Sequence, residues 1–419
     1  MAPIVRNLNI LTISILIISM CSCCKTQQEH IDNNQISPEW NVRIPIGTSS
    51  AITTGNINPA LIYNNIIVFP TTIRSYPNKE DNRLCGINIS SHNLQWIFPK
   101  DTTINYGLYF RNASAYQDKD IVIGKSCFNL FGEGDSESVL CFSLKNQEII
   151  WQHHWPGDSF SNDIENNVYS DGKRCFAVIN GHHVFAFNIR SGEKELIYDS
   201  KDYEINHGPI IIDSSHFGIM ETKIGENEED YRYTIINPIS GEVLSRKQLP
   251  YDKKVRATIC NVIVQNRTIY YTDAAHTAAI DALTGEILWT RTDEGFQCQE
   301  GLHLSNGILL KHNTETFMAF NSENGEEIYS NSSFGFGEST LSGKYLYCND
   351  CEGHIIILEY ISGKIIDTIN YPKDNDEFRC GGSFSHFPII NDNKLYLIGQ
   401  NASNNKDYRV FCYPTYPWN

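Results

Sequence analysis

The chain has 419 residues, with 33 Lys+Arg against 49 Asp+Glu and a formal net charge of −16. At 41% hydrophobic and 20% charged it can bury a sizeable core, and it is not composed like a disordered chain. The acidic balance argues against nucleic acid as a partner, because phosphate contacts need a basic surface.

The first element reads as an export signal. Arg6 supplies a positive charge, and Leu8 to Met20 form an apolar run of 13 residues. That is short for a bilayer span and right for a signal h-region. Met20-Cys21-Ser22-Cys23-Cys24 follows at once. A small residue before a cysteine at this place resembles the lipobox of bacterial lipoproteins. Cys23, after Ser22, fits best; Cys21, after the bulkier Met20, ranks second, and an ordinary cleaved secretory signal is the plain alternative. Lipidation would anchor the chain without making it span the membrane. The expected organisation is a signal over 1–23, a polar tether over 24–37 and one domain over 38–415.

That domain repeats itself. The segment AIDALTGEILW (279–289) has counterparts at 86–96, 141–151, 186–196, 235–245, 319–329 and 357–367. Ser, Thr or Asn precedes the glycine position in all seven, and Gly192, Gly241, Gly285, Gly325 and Gly363 fill it in five. Asn88, Asn188, Asn237, Asp281 and Asn321 hold the third position. Alternating apolar residues on either side of an Asx…Ser/Thr-Gly cluster describe two strands joined by a tight hairpin. Two further short apolar runs precede each copy, as in 257–264 and 268–272, and no helical spacing intervenes. Four strands per copy at this period predict propeller blades. After the seventh copy, residues 386–414 supply three strands, and 38–45 supplies the fourth. The expected fold is therefore all-β: an eight-bladed β-propeller of four-stranded antiparallel blades, closed by the N-terminal strand, with no edge unpaired at the seam.

AIDALTGEILW resembles the repeat of the pyrroloquinoline-quinone-type propellers, Ala-x-Asp-x-x-Thr-Gly-x-x-x-Trp. The resemblance implies that Trp96, Trp151 and Trp289 dock against the neighbouring blade. Leu196, Ser245, Tyr329 and Asp367 stand at the same position elsewhere, so docking is lost or altered in those blades. One branch of the family, the quinoprotein dehydrogenases, carries a quinone and calcium at the ring centre. Another, the outer-membrane assembly lipoprotein, is an eight-bladed propeller that binds partners. An exported, lipobox-bearing chain without added domains is closer to the second. Pyrroloquinoline quinone with calcium is disfavoured, because the adjacent cysteines Cys23-Cys24 belong to the signal and no inserted loops build a cofactor site.

The remaining residues suggest a recognition surface more than chemistry. The segments before the inner strands, 104–114, 203–209, 293–301, 332–339 and 378–388, are rich in Gly, Phe and Tyr. They place Arg111, His207, Phe296, Gln299, Phe336, Arg379 and His386 around the channel mouth. Aromatic and arginine side chains are common anchors of interfaces; the plain alternative is tight turns and channel plugs. Cys348-x-x-Cys351-x-x-His354 is the one metal-like spacing, but a structural zinc site wants four ligands and no second pair follows. Free thiols or a disulfide are the better reading, and no catalytic or metal residue is assigned. The expected protein is a non-catalytic envelope lipoprotein that scaffolds envelope proteins from the periplasmic face or the cell surface of the outer membrane. A quinone-dependent enzyme and a glycan- or peptide-binding lipoprotein are the alternatives.

Overall fold

The computed structural model describes residues 36–44, 50–53, 61–75, 79–98, 116–118, 120–129, 135–156, 168–223, 230–250, 261–272, 276–292, 301–312, 316–332, 336–350, 354–370, 373–374, 376–380, 388–401 and 408–418. These form eight antiparallel sheets, the blades of one propeller. Blades 3 to 7 each use four consecutive strands: 168–199, 203–248, 261–292, 301–331 and 336–370. Blades 1 and 2 run over 50–98 and 116–156. The first strands of successive blades touch one another and so line the axis.

Blade 8 joins the two ends of the chain. Trp40–Ile44 pairs with Tyr408–Pro414, setting Trp40 opposite Cys412 and Asn41 opposite Phe411. That is the closure expected from the sequence. Its inner strand differs from expectation. Phe378–Cys380, read as loop, pairs with residues 399–401, and Ile389–Asn391 pairs with residues 394–396. Residues 203–209 are likewise strand, part of Tyr203–Asp213, and Phe336 opens Phe336–Ser342. Register shifts between His207 and Ile210 and between Phe336 and Ser339 absorb the Gly and Pro residues that suggested loops.

Burial follows each strand's place in its blade. The third strand of blade 5, His276–Asp281, is buried on both faces up to Asp281, while the outer strand Ile287–Thr292 buries only Trp289 fully. The core is divided into clusters that straddle consecutive blades. Met220, Tyr231 and Tyr233 of blade 4 pack with Ile269, Tyr271 and Ile280 of blade 5. Val42, Val410 and Cys412 of blade 8 pack with Ile67, Cys85 and Ile87 of blade 1.

The hairpin chemistry explains the repeat. Asp281 Oδ1 accepts the backbone N–H groups of Leu283 (2.9 Å) and Thr284 (2.8 Å), and Gly285 N donates to Asp281 O at 2.8 Å. Asn188 and Asn237 close their turns the same way. Burial alone would raise the Asp281 carboxyl, but Arg267 and the two amides outweigh it and hold the group below its usual range. Asp281→Ala should therefore destabilise the protein by about 1–2 kcal/mol, the cost of orphaning turn amides. A urea midpoint unchanged from wild type would contradict this hairpin.

Every first-to-second and third-to-fourth strand turn lies at one end of the ring, the turn end. The two kinds of turn are tied together by backbone bonds such as Ala282 N to Arg267 O (2.9 Å) and Ser322 N to Gly307 O (2.9 Å). Blade 8 has no hairpin between its third and fourth strands, because the fourth strand is Trp40–Ile44. Its tail takes the hairpin's place: Thr415 N donates to Asn393 O at 3.0 Å, Tyr416 N to the Tyr347 hydroxyl at 2.9 Å and Trp418 Nε1 to Asp367 at 2.6 Å.

Candidate functional site

The best-defined polar chemistry lies between the blades. The residue after the Asx position, or after Glu359 in blade 7, offers its carbonyl to the preceding blade, and five blades answer with four arrangements. Trp151 Nε1 donates to Ile189 O (3.0 Å) and Trp289 Nε1 to Ser322 O (2.8 Å). Arg174 donates to Pro238 O (2.9 Å), Tyr233 to Ala282 O (2.8 Å), and Tyr329 to Tyr360 O. At the seam Trp40 stacks on His92, with ring centroids 4.5 Å apart and planes at 18°. Blades 3 and 4, which carry Leu196 and Ser245 at the tryptophan position, thus use an arginine from the second strand and a tyrosine from the third. Where a large ring docks from the outer strand, the residue paired with it is small: Cys141 by Trp151, Ala279 by Trp289, Ala319 by Tyr329, Cys412 by Trp40. Trp96 pairs with Gly86 in the same position; its side chain lies outside the described residues.

Ionisable groups are placed between blades as well. Glu221 of blade 4 is fully buried and accepts from Tyr198 (3.0 Å) and Ser200 of blade 3, and from Arg232 (2.9 Å) and Thr234 (2.5 Å) of its own blade. Lys311 of blade 6 is also buried and donates to Thr277 Oγ1 of blade 5 at 2.8 Å. His303 and His312 of blade 6 both point Nε2 at the Ser339 hydroxyl of blade 7, each at 2.6 Å. One hydroxyl has one proton and two lone pairs, so at most one ring accepts from it and at least one donates to its oxygen.

Burial lowers His303 from 6.5 to about 4. The ring is neutral in the fold at pH 5, whereas the unfolded chain binds a proton there, so acid favours unfolding. The stability this group contributes is complete above about pH 6.5 and declines down to about pH 4, a loss of order 2 kcal/mol. His303→Gln should flatten that limb when urea midpoints are compared at pH 7 and 4.5. An equally steep limb in the variant would remove His303 as its cause.

The residues expected at the channel mouth divide into three groups. His207 is 3% exposed, and its Nε2 lies 3.1 Å from the Tyr169 hydroxyl, so the ring sits between the inner strands of blades 3 and 4. Phe336 and Arg379 lie on inner strands, with side chains outside the described residues. Arg111, Phe296, Gln299 and His386 lie outside the described residues altogether, as do Cys21 and Cys23. The adjacent histidines use opposite faces of their strand: His153 Nε2 meets Gly192 O at 2.6 Å, and His154 Nδ1 meets Ser138 Oγ at 3.1 Å. Cys141, Cys175 and Cys412 are buried free thiols, and Cys85 and Cys348 are buried as well. Burial first, and a nearby carboxylate second, push Cys141 and Cys412 up to about 12, which makes them inert packing residues. Cys351 of the metal-like motif lies outside the described residues.

A cavity of about 250 Å³ opens on the inner strands of blades 3 to 5, lined by Tyr169, Ser170, Ile210, Ile211, Val262 and Val264. A quinone bearing carboxylates, held with calcium, needs cationic side chains and several oxygen ligands. This lining offers two hydroxyls and four aliphatic chains, so it does not fit that group. Among the described residues no three His, Cys, Asp or Glu side chains are grouped to hold a metal ion.

A family model described as outer membrane protein assembly factor BamB matches residues 230–414, from the second half of blade 4 to the end of Tyr408–Pro414 in blade 8. The repeats in that stretch are similar to those of the pyrroloquinoline-quinone-like propellers. No curated protein matches the sequence. Among solved structures, BamB from Moraxella catarrhalis is similar with 13% identity and a TM-score of 0.57, covering 90% of this chain and 100% of that one. A europium-containing methanol dehydrogenase is similar at 8% identity and TM-score 0.58, covering 90% and 93%. A quinohemoprotein alcohol dehydrogenase from Comamonas testosteroni reaches 9% and 0.56, covering 90% and 76%. At these identities the likeness is one of fold.

Proposed function

We propose that this chain is an exported lipoprotein of the bacterial cell envelope, anchored through Cys23, whose propeller is a non-catalytic scaffold for other envelope proteins. The observation that carries the reading is the match of residues 230–414 to a family described as an outer membrane protein assembly factor. A cysteine placed at the end of an export h-region agrees with it. So does the placement of Glu221, Lys311 and the His303–His312 pair, which bond across blade interfaces. The recognition surface is assigned to the end opposite the turns, where Arg111, Phe296, Gln299, Phe336, Arg379 and His386 belong in the repeat.

Affinity capture of the tagged full chain from detergent-solubilised native envelope tests this. The expected result is stoichiometric co-purification of envelope proteins, reduced at least tenfold by Arg379→Ala combined with Phe336→Ala. Overturning it would take a purified protein that binds quinone with calcium in a saturable absorbance titration and then reduces an electron-accepting dye. Saturable retention on an oligosaccharide column without any co-purifying protein would move the assignment to a glycan binder.

A further inference from the structure

We infer that the turn end of the ring faces the lipid bilayer and that Ile239 and Ile361 seat in its interface, an orientation that rests on the anchoring of Cys23 proposed above. The first support is where the chain enters the fold. Trp40 starts the outermost strand of blade 8 at the turn end, opposite Cys412 and next to the tail that replaces the missing hairpin. Glu39 N donates to Cys412 O at 2.8 Å, Glu39 pairs with Lys394, and Ile36 packs against the same core cluster as Tyr345, Ile390, Tyr416 and Trp418. The chain is therefore held on the turn end from Ile36 onward. Only 13 residue steps separate Ile36 from Cys23. Such a tether reaches about 45 Å when fully extended and about 20 Å as a relaxed coil. An anchor on so short a lead keeps the end from which it leaves close to the bilayer.

The second support is what that end presents. Hairpin tips in water favour polar residues, and the tip position holds Arg190 in blade 3 and Glu323 in blade 6. In blades 4 and 7 it holds Ile239, 67% exposed, and Ile361, 52% exposed. Both side chains project from turns whose own hydrogen bonds are complete without them, Asn237 Oδ1 closing one and Gly363 N to Glu359 O the other. Isoleucine gains free energy on leaving water for the acyl boundary. The same end carries exposed charges of both signs, Lys173, Arg190 and Lys344 beside Glu193, Glu242 and Glu323. The lipid surface it fits is accordingly zwitterionic, which offers partners to both signs.

The test uses the lipidated full chain reconstituted in phosphatidylcholine vesicles. A benzophenone amino acid is placed at position 239 or 361, and, as controls at the opposite end, at the exposed positions of Lys201 or Lys223. Illumination should give lipid adducts from 239 and 361 in at least tenfold excess over 201 and 223. Equal yields, or an excess from the controls, would overturn the orientation while leaving the anchor intact. Mass spectrometry of the N-terminal peptide is read separately: a Cys23 without lipid overturns the anchor and, with it, the orientation.

Discussion

Trp289→Ala should cost about 3–5 kcal/mol, the range for emptying a well-packed tryptophan site. The ring is 9% exposed, donates Nε1–H to Ser322 O at 2.8 Å and lies across Gly325. Its pairing partner, Ala279, is too small to fill the space left behind. Gly325 is constrained twice. Its φ of +71° disfavours any side chain, and a Cβ there would stand 2.6 Å from the Trp289 ring. Gly325→Ala alone should thus destabilise by about 2–3 kcal/mol, from backbone strain plus collision. With Trp289 already truncated the collision disappears and only the strain remains. Urea denaturation of both single variants and the double variant should show the double less destabilised than the sum by about 1–2 kcal/mol. Strict additivity would mean that ring and glycine do not touch in solution.

This pair shows why the repeat could be read from residues alone. The glycine meets two demands at once, positive φ and room for the preceding blade's ring, so it recurs. Where it is missing, the backbone demand persists: His92 and Gln147 occupy the same turn position with φ of 53° and 59°. The strand count and the seam followed from such local turn chemistry, which acts within a dozen residues. Interblade docking was only partly legible. The acceptor carbonyl stays fixed in the hairpin, but its donor can arrive from any strand of the preceding blade, as Arg174 and Tyr233 do. Nothing in the spacing around Leu196 or Ser245 points to those substitutes. The inner strands were the least legible, because Gly208-Pro209 and Gly337 sit in bulges that keep pairing where composition alone suggests loops.

A charge placed in the closing strand should open the ring. Val42 is 8% exposed and packs in the cluster that joins blade 8 to blade 1, among Val410, Cys412, Ile67 and Ile87. Val42→Asp would bury a carboxylate with no cationic side chain among these neighbours, so the strand is expected to leave instead, at a cost of about 3 kcal/mol or more. Its departure unpairs Tyr408–Pro414, whose backbone groups then offer an edge to another molecule. The variant should elute at larger mass than wild type in size-exclusion chromatography and lose the Trp40–His92 stack, read as a change in near-ultraviolet circular dichroism. Asn41→Asp adds the same charge one residue earlier. Successive strand residues face opposite sides, and Asn41 is exposed, so that change should stay within about 0.5 kcal/mol of wild type. If Asn41→Asp were instead the disruptive change and Val42→Asp the mild one, the register of Trp40–Ile44 against Tyr408–Pro414 would be wrong by one residue, with the core and solvent faces of the seam exchanged.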